Sequence, residues 1–154
     1  MTFRRQDNVA LNDHCVKEHI PRVKRFFNGA LFLSVIVRKS ATDMQILYAC
    51  RALEKLIKHE GGIIILSMDL SHYKPKVESD AEDDKSLDAF CNFRLSELNH
   101  ADIDCPRGAK LFLMLMKNLG LTRVQLLERS NSNDYFVNFH SNRTTGHATV
   151  LFTN

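Results

Sequence analysis

Residues 62–73, GIIILSMDLSHY, decide how the rest of the chain is read. The first half is an apolar run, Ile63, Ile64, Ile65 and Leu66, with β-branched residues at three of four places and two glycines ahead of it. Such a run reads as a strand buried on both faces, in the middle of a sheet. The second half turns polar at Ser67, Asp69, Ser71 and His72, where that strand should end. In open α/β sheets ligands bind outside the carboxyl ends of the strands, so these side chains become candidates for a site. The same residue types also form turns and cap helices, which leaves a purely structural reading open.

Upstream, Asn28-Gly29 marks a turn, and residues 30–38, ALFLSVIVR, read as a second buried strand. Ser40-x-x-Asp43 then resembles a capping box opening a helix to about His59. Met44, Leu47, Cys50, Leu53 and Ile57 recur every three or four residues and give that helix one apolar stripe. Gly61-Gly62 ends it. Strand, helix and strand therefore predict a right-handed β-α-β unit, with 30–38 and 62–68 parallel neighbours and 41–59 their crossover.

Earlier still, Asn12 or Asp13 can cap a helix through Val16, Ile20, Val23 and Phe27, although Pro21 should kink or end its first part. Residues 1–12 lack a strong period and read as an arm or loop. His14 and His19 lie on the helix five residues apart, a spacing that suits packing or capping better than joint metal ligation. Downstream, Ser79-x-x-Glu82 resembles the cap of a helix carrying Leu87, Phe90, Cys91, Leu95 and Leu98. The acids Asp80, Glu82, Asp83 and Asp84 fall in its first turn, where they offset the helix dipole and need no cation. Residues 100–104 read as a loop, and Pro106 as the first residue of a helix to about Asn118 that is apolar nearly all round and buried between layers. Cys105 then sits at or beside the helix N-cap, where the dipole should lower a thiol pKa and make it the reactive or metal-binding cysteine. Strands are expected at 124–127, 135–139 and 147–153, in an antiparallel or mixed arrangement.

At 154 residues the chain is long enough for one domain with a sizeable core and short for two. Its 44% hydrophobic and 25% charged residues are ordinary for a soluble globular protein. No apolar run approaches the roughly 20 residues that span a bilayer, and no signal peptide is visible. The small net charge of +3 gives nucleic-acid binding little support, and no membrane partner is implied. Cys15, Cys50, Cys91 and Cys105 form no C-x-x-C pair and read as reduced thiols in a cytoplasm.

Four segments together resemble the Memo family, whose bacterial and archaeal members are named AmmeMemoRadiSam system protein B and whose fold is similar to that of class III extradiol dioxygenases. DHCVKEHIP at 13–21 resembles the family's E-H-S-I-E-x-(Q/H)-L-P segment, and LSMDLSHY at 66–73 resembles its S-S-D-(L/F)-x-H-(Y/W) segment. Cys105 falls where the family has a C-G segment before a buried helix, and LERSNSND followed by GHATVLF resembles its two closing segments. Pro106 stands for the family glycine, Lys17 for an acid and His147 for a tyrosine.

The resemblance implies an α/β fold with a mixed, partly parallel sheet and helices on both faces. It covers 1–154 as one Memo-like domain that lacks the family's N-terminal half, including the H-A-G and G-P-S-H segments that carry its metal-site histidines. By the same resemblance, His14, His72 and Asp69 are catalytic candidates, Cys105 is a metal ligand for iron or copper, and Asp13 and His19 line the site. Two functions follow as expectations. One is a metal-dependent oxidoreductase in which His14, His72 and Cys105 converge, with replacement ligands drawn from His19, His140 or His147. The other, preferred, is a reduced or split Memo-like protein acting as a non-catalytic binding or assembly module. Its sheet edges would be covered by a homo-oligomer or by a second chain supplying the missing half.

Overall fold

The computed structural model describes residues 7–135 and 142–154. Its first two helices are α1 (Asp7–Asn12) and α2 (His14–Phe26), so part of the expected N-terminal arm is helical. Asp13 caps α2 as expected, its carboxylate accepting the Val16 N–H at 3.1 Å. Pro21 does not end the helix. Both Pro21 and Lys17, whose carbonyl loses its partner there, face solvent, where water can bond the orphaned group. No side chain of α2 is fully buried; Cys15, Val16, His19, Ile20 and Val23 form a half-covered stripe.

Helix α3 (Asp43–Glu60) starts two residues later than a cap at Ser40 would place it. Thr42, not Ser40, accepts the Gln45 N–H at 3.3 Å, while the Gln45 side chain accepts the Thr42 N–H at 2.9 Å, closing a reciprocal capping box. Ile46, Ala49 and Cys50 face α5 (Pro106–Leu119) and bury against Leu111, Leu115 and Met116. Helix α5 is apolar on nearly every face because it has two neighbours. Its Ala109 and Leu113 pack on the other side with Ala89 and Phe90 of α4 (Lys76–Cys91) and with Leu98. Each fully buried Leu, Ile or Phe here is worth about 1.5–3 kcal/mol, which makes α5 the centre of the core. Gly120, in the left-handed region at φ 75°, closes the helix.

Helix α4 follows Pro75 and has no side-chain cap; Ser79, the expected cap, lies inside it and is fully buried. The three strands are β1 (His72–Lys74), β2 (Arg123–Asn131) and β3 (Thr144–Thr153), in the order β1-β3-β2 and antiparallel throughout. The expected strands at 124–127 and 147–153 are therefore present, each longer than the sequence suggests. β3 alternates cleanly: Gly146, Ala148, Val150 and Phe152 turn inward, whereas His147, Thr149 and Leu151 turn outward. The Phe152 ring meets Phe90, Phe93 and Phe112 edge-on, at centroid distances of 5.5, 5.8 and 5.2 Å, and so ties the sheet to α4 and α5. Tyr135 ends a short 3-10 turn (Ser132–Tyr135), and the rest of the strand expected at 135–139 lies outside the described residues.

The expected parallel β-α-β unit differs most from what is observed. Its crossover helix is in place, but neither 30–38 nor 62–68 belongs to a sheet, and no pair of strands among the described residues is parallel. A strand needs a neighbour to exchange N–H and C=O bonds with, and residues 31–37 and 62–68 make no backbone hydrogen bond among the described residues. The conformation expected of a strand survives in part. Ile64, Leu66 and Met68 turn toward the α3–α5–α4 core while Ile63, Ile65 and Ser67 face solvent, a period of two. The 62–68 segment is thus covered on one face only, and the expected burial on both faces does not occur.

Candidate functional site

Residues 69–74 leave the 62–68 segment and enter the sheet, and a buried polar network holds them from behind. Ser71 is wholly buried; its N–H donates to Asp83 Oδ1 at 2.9 Å and its hydroxyl lies 2.7 Å from Ser79 Oγ. Asn131 Nδ2 donates to Ser79 Oγ and to Thr144 Oγ1, both at 3.1 Å, and Thr144 Oγ1 donates to the Lys74 carbonyl at 3.0 Å. Ser79, Asp83 and Ser86 lie on one face of α4, which turns polar side chains inward where an apolar stripe is usual. Buried polar groups of this kind are tolerable because each finds a partner. Lys74 adds an ion pair to Asp102 at 3.0 Å, and that carboxylate holds its ammonium pKa above the ordinary lysine value.

On the outer side of the same segment, the Asp69 N–H donates to Asp104 Oδ1 at 3.0 Å and the Asp104 N–H returns a bond to the Asp69 carbonyl at 3.1 Å. This clip joins the loop before α5 to the loop before β1. His72 stands next to it with both ring nitrogens engaged: Nε2 lies 3.1 Å from Asp69 Oδ2 and Nδ1 lies 3.2 Å from Thr145 Oγ1. Asp69 is more than half exposed and His72 about a quarter, so the pair is accessible to a ligand. An oriented imidazole between a carboxylate and a hydroxyl can accept or deliver a proton.

Cys105 follows Asp104 directly and occupies the N-cap position of α5, as expected, while its thiol pKa moves up rather than down. Burial pushes its thiol pKa up; the Gly108 N–H bonded to the sulfur pulls it down, and the Asp104 and Cys15 charges raise it again. Desolvation is the largest of these influences, and the net shift is upward. Gly108 is required here, because a Cβ at that position would stand 2.6 Å from the Cys105 sulfur. The effect of Cys15 on Cys105 also places the first turn of α2 near the site. His14 is exposed on that turn, His19 is half-buried one turn and a half later, and Asp13 is engaged as the cap.

The structure therefore brings Asp69, His72 and Cys105 to adjoining positions through the Asp104 clip. A metal centre is a stricter requirement. Among the described residues, no three His, Cys, Asp or Glu side chains converge as a set able to hold an ion. His72 is engaged by Asp69 and Thr145, and no further donor joins it and Cys105 in a three-ligand set among the described residues. His147 points outward from β3, away from the inward face that carries the polar network, and His140 lies outside the described residues.

Comparison with known proteins bears directly on this arrangement. The model of the family described as Memo-like protein matches residues 2–149, nearly the whole chain. The chain belongs to the Memo-like family. No curated protein and no solved structure gives a significant match. In this Memo-like chain, the candidate residues Asp69 and His72 lie side by side, a contact the sequence reading did not anticipate. Asp104 and Thr145, which hold that pair, were not visible in the sequence as site residues. Asp104 adjoins the singled-out Cys105, but nothing local in either residue's surroundings signals a bond to a segment 35 or 73 positions away.

Proposed function

We propose that this Memo-like chain is a non-catalytic binding or assembly module, corresponding to the C-terminal half of the family's fold. On this reading it completes its sheet by pairing 30–38 and 62–68 with strands of another copy or of a second chain. One observation carries this: two extended, β-branched segments leave their backbone unpaired and their apolar side chains in water. Leu31 is fully exposed, Leu33 and Ile63 are about two-thirds exposed, and Phe32, Val35, Ile36 and Ile65 are also open to solvent. Unpaired strand edges and contiguous apolar surface both favour association. In the completed assembly, 30–38 and 62–68 would take up the parallel pairing for which α3 is already the crossover, giving the layered arrangement similar to that of extradiol dioxygenases. The same reading puts the chain in a reducing cytoplasm, where four unpaired thiols persist.

Light scattering and amide hydrogen exchange on the untagged chain test the proposal together. The expected result is a dimer or higher assembly, or a stable complex with a second chain, in which amides of 31–37 and 63–68 exchange slowly. A monomer in which both segments exchange at the rate of an unfolded peptide, alone and with every strand peptide or second chain offered to it, refutes it.

A further inference from the structure

Resting on the assembly reading above, the charge around the first unpaired segment points to what pairs with it. Residues 24–39, KRFFNGALFLSVIVRK, hold four cations and no acid. The whole chain carries only +3, so the rest of it is slightly acidic. Lys24 and Arg25 stand at one end of the exposed apolar run and Arg38 and Lys39 at the other, all four exposed. None forms an ion pair among the described residues, although Arg25 lies over the Phe26 ring at 5.8 Å. From Lys74 to Lys110, by contrast, every lysine and arginine faces a carboxylate, as does Arg129.

We infer that residues 30–38 form the docking edge for a heterologous strand, about seven to nine residues long, with alternating apolar side chains and acidic residues at both ends. Extended backbone with free N–H and C=O groups is the substrate of strand addition, in which main-chain bonds supply affinity and alternate side chains supply selectivity. A second copy of the same segment is disfavoured. Paired in parallel, it sets Arg38 and Lys39 of one copy against those of the other; paired antiparallel, it brings them toward the end of the other copy's α2, where Lys24 and Arg25 stand, and like charges brought together destabilise the pair. A lipid surface would also attract a basic apolar patch, but it leaves extended backbone groups unbonded in an apolar medium. An acidic-ended strand satisfies the backbone, the apolar side chains and the four cations at once.

The test uses the full chain and short synthetic peptides that alternate valine or isoleucine with threonine and carry glutamates, serines or lysines at both ends. Glutamate-ended peptides should bind about tenfold more tightly than lysine-ended ones at low salt, from exposed ion pairs each worth roughly twofold, and the preference should shrink at high salt. Binding should slow exchange of the 31–37 amides. The combined variant Lys24→Glu, Arg25→Glu, Arg38→Glu and Lys39→Glu should keep its circular dichroism and melting temperature and reverse the preference. Binding indifferent to end charge, or absent, overturns the inference. So does protection of this segment by phosphatidylserine vesicles and by no peptide. If the chain self-associates in light scattering yet shows no end-charge preference, this inference falls and the assembly reading stands. A monomer left unprotected by every peptide removes both.

Discussion

Gly146→Ala tests the buried network behind the candidate site more sharply than any substitution within the site. A Cβ at Gly146 would stand 1.6 Å from Asp83 Oδ2 and 2.6 Å from its Cγ, so the carboxylate must move by more than an ångström. Asp83 has little freedom to do so, because it is 1% exposed and accepts the Ser71 N–H at 2.9 Å. Displacing it leaves that buried N–H without a partner, about 1–3 kcal/mol, and adds overpacking of about 1–3 kcal/mol. The expected loss is about 2–6 kcal/mol in all, large enough to read in a urea unfolding curve followed by circular dichroism. Asp83→Ala alone should lose about 1–3 kcal/mol, by orphaning the same N–H. The double variant should be little worse than Asp83→Ala, since the clash has gone, leaving a favourable coupling about as large as the Gly146→Ala loss itself. A Gly146→Ala protein within 1 kcal/mol of wild type, or additive losses in the double variant, refutes the close approach of β3 to α4 on which this reasoning rests.

Further outcomes follow from the same geometry. Thr42→Ala removes half of the α3 capping box and should lower stability by about 1 kcal/mol in the same unfolding assay, whereas Ser40→Ala should change nothing measurable. Asp104→Ala breaks the clip to Asp69 and should speed exchange of the Asp69 amide while costing about 1 kcal/mol. Burial raises the Cys50, Cys91 and Cys105 thiol pKa values. Their contribution to stability is therefore complete below the unfolded thiol value of about 8.5 and is lost as pH rises through the folded values. The melting temperature should accordingly fall above about pH 8.5, less steeply in Cys105→Ser, and iodoacetamide should label Cys105 more slowly than an unfolded thiol at neutral pH. At the acid end, Lys110 and Arg107 lower the Asp43 pKa and the Asn131 N–H and Lys76 lower that of Asp134. The stability those groups lend is present above the ordinary carboxylate value of about 4 and lost below it, so Asp43→Asn should flatten the acid limb of a stability–pH profile.

What the sequence determined by itself is whatever one element's own period and ends encode. The stripe Met44, Leu47, Cys50, Leu53 and Ile57, the proline opening α5 and the glycine after it, and the apolar run 147–153 are local signals, and the corresponding elements are present, although Met44 at the start of α3 faces solvent. Asp69 and His72 were each legible as candidates in LSMDLSHY, though not as a pair. The tertiary structure decided the rest. Whether 62–68 is a strand depends on a neighbour to bond it, which apolar, β-branched residues invite but cannot supply, so a run read as doubly buried lies covered on one face. Ser79 and Asp83 carry the composition of a helix start, yet α4 begins earlier and turns them inward to meet Ser71, Asn131 and Gly146, partners that only the chain's return along β3 brings within reach. Cys105 shows the two contributions opposed at one atom: its position at a helix N-terminus, readable from Pro106, favours the thiolate, while the burial conferred by the surrounding fold disfavours it and prevails.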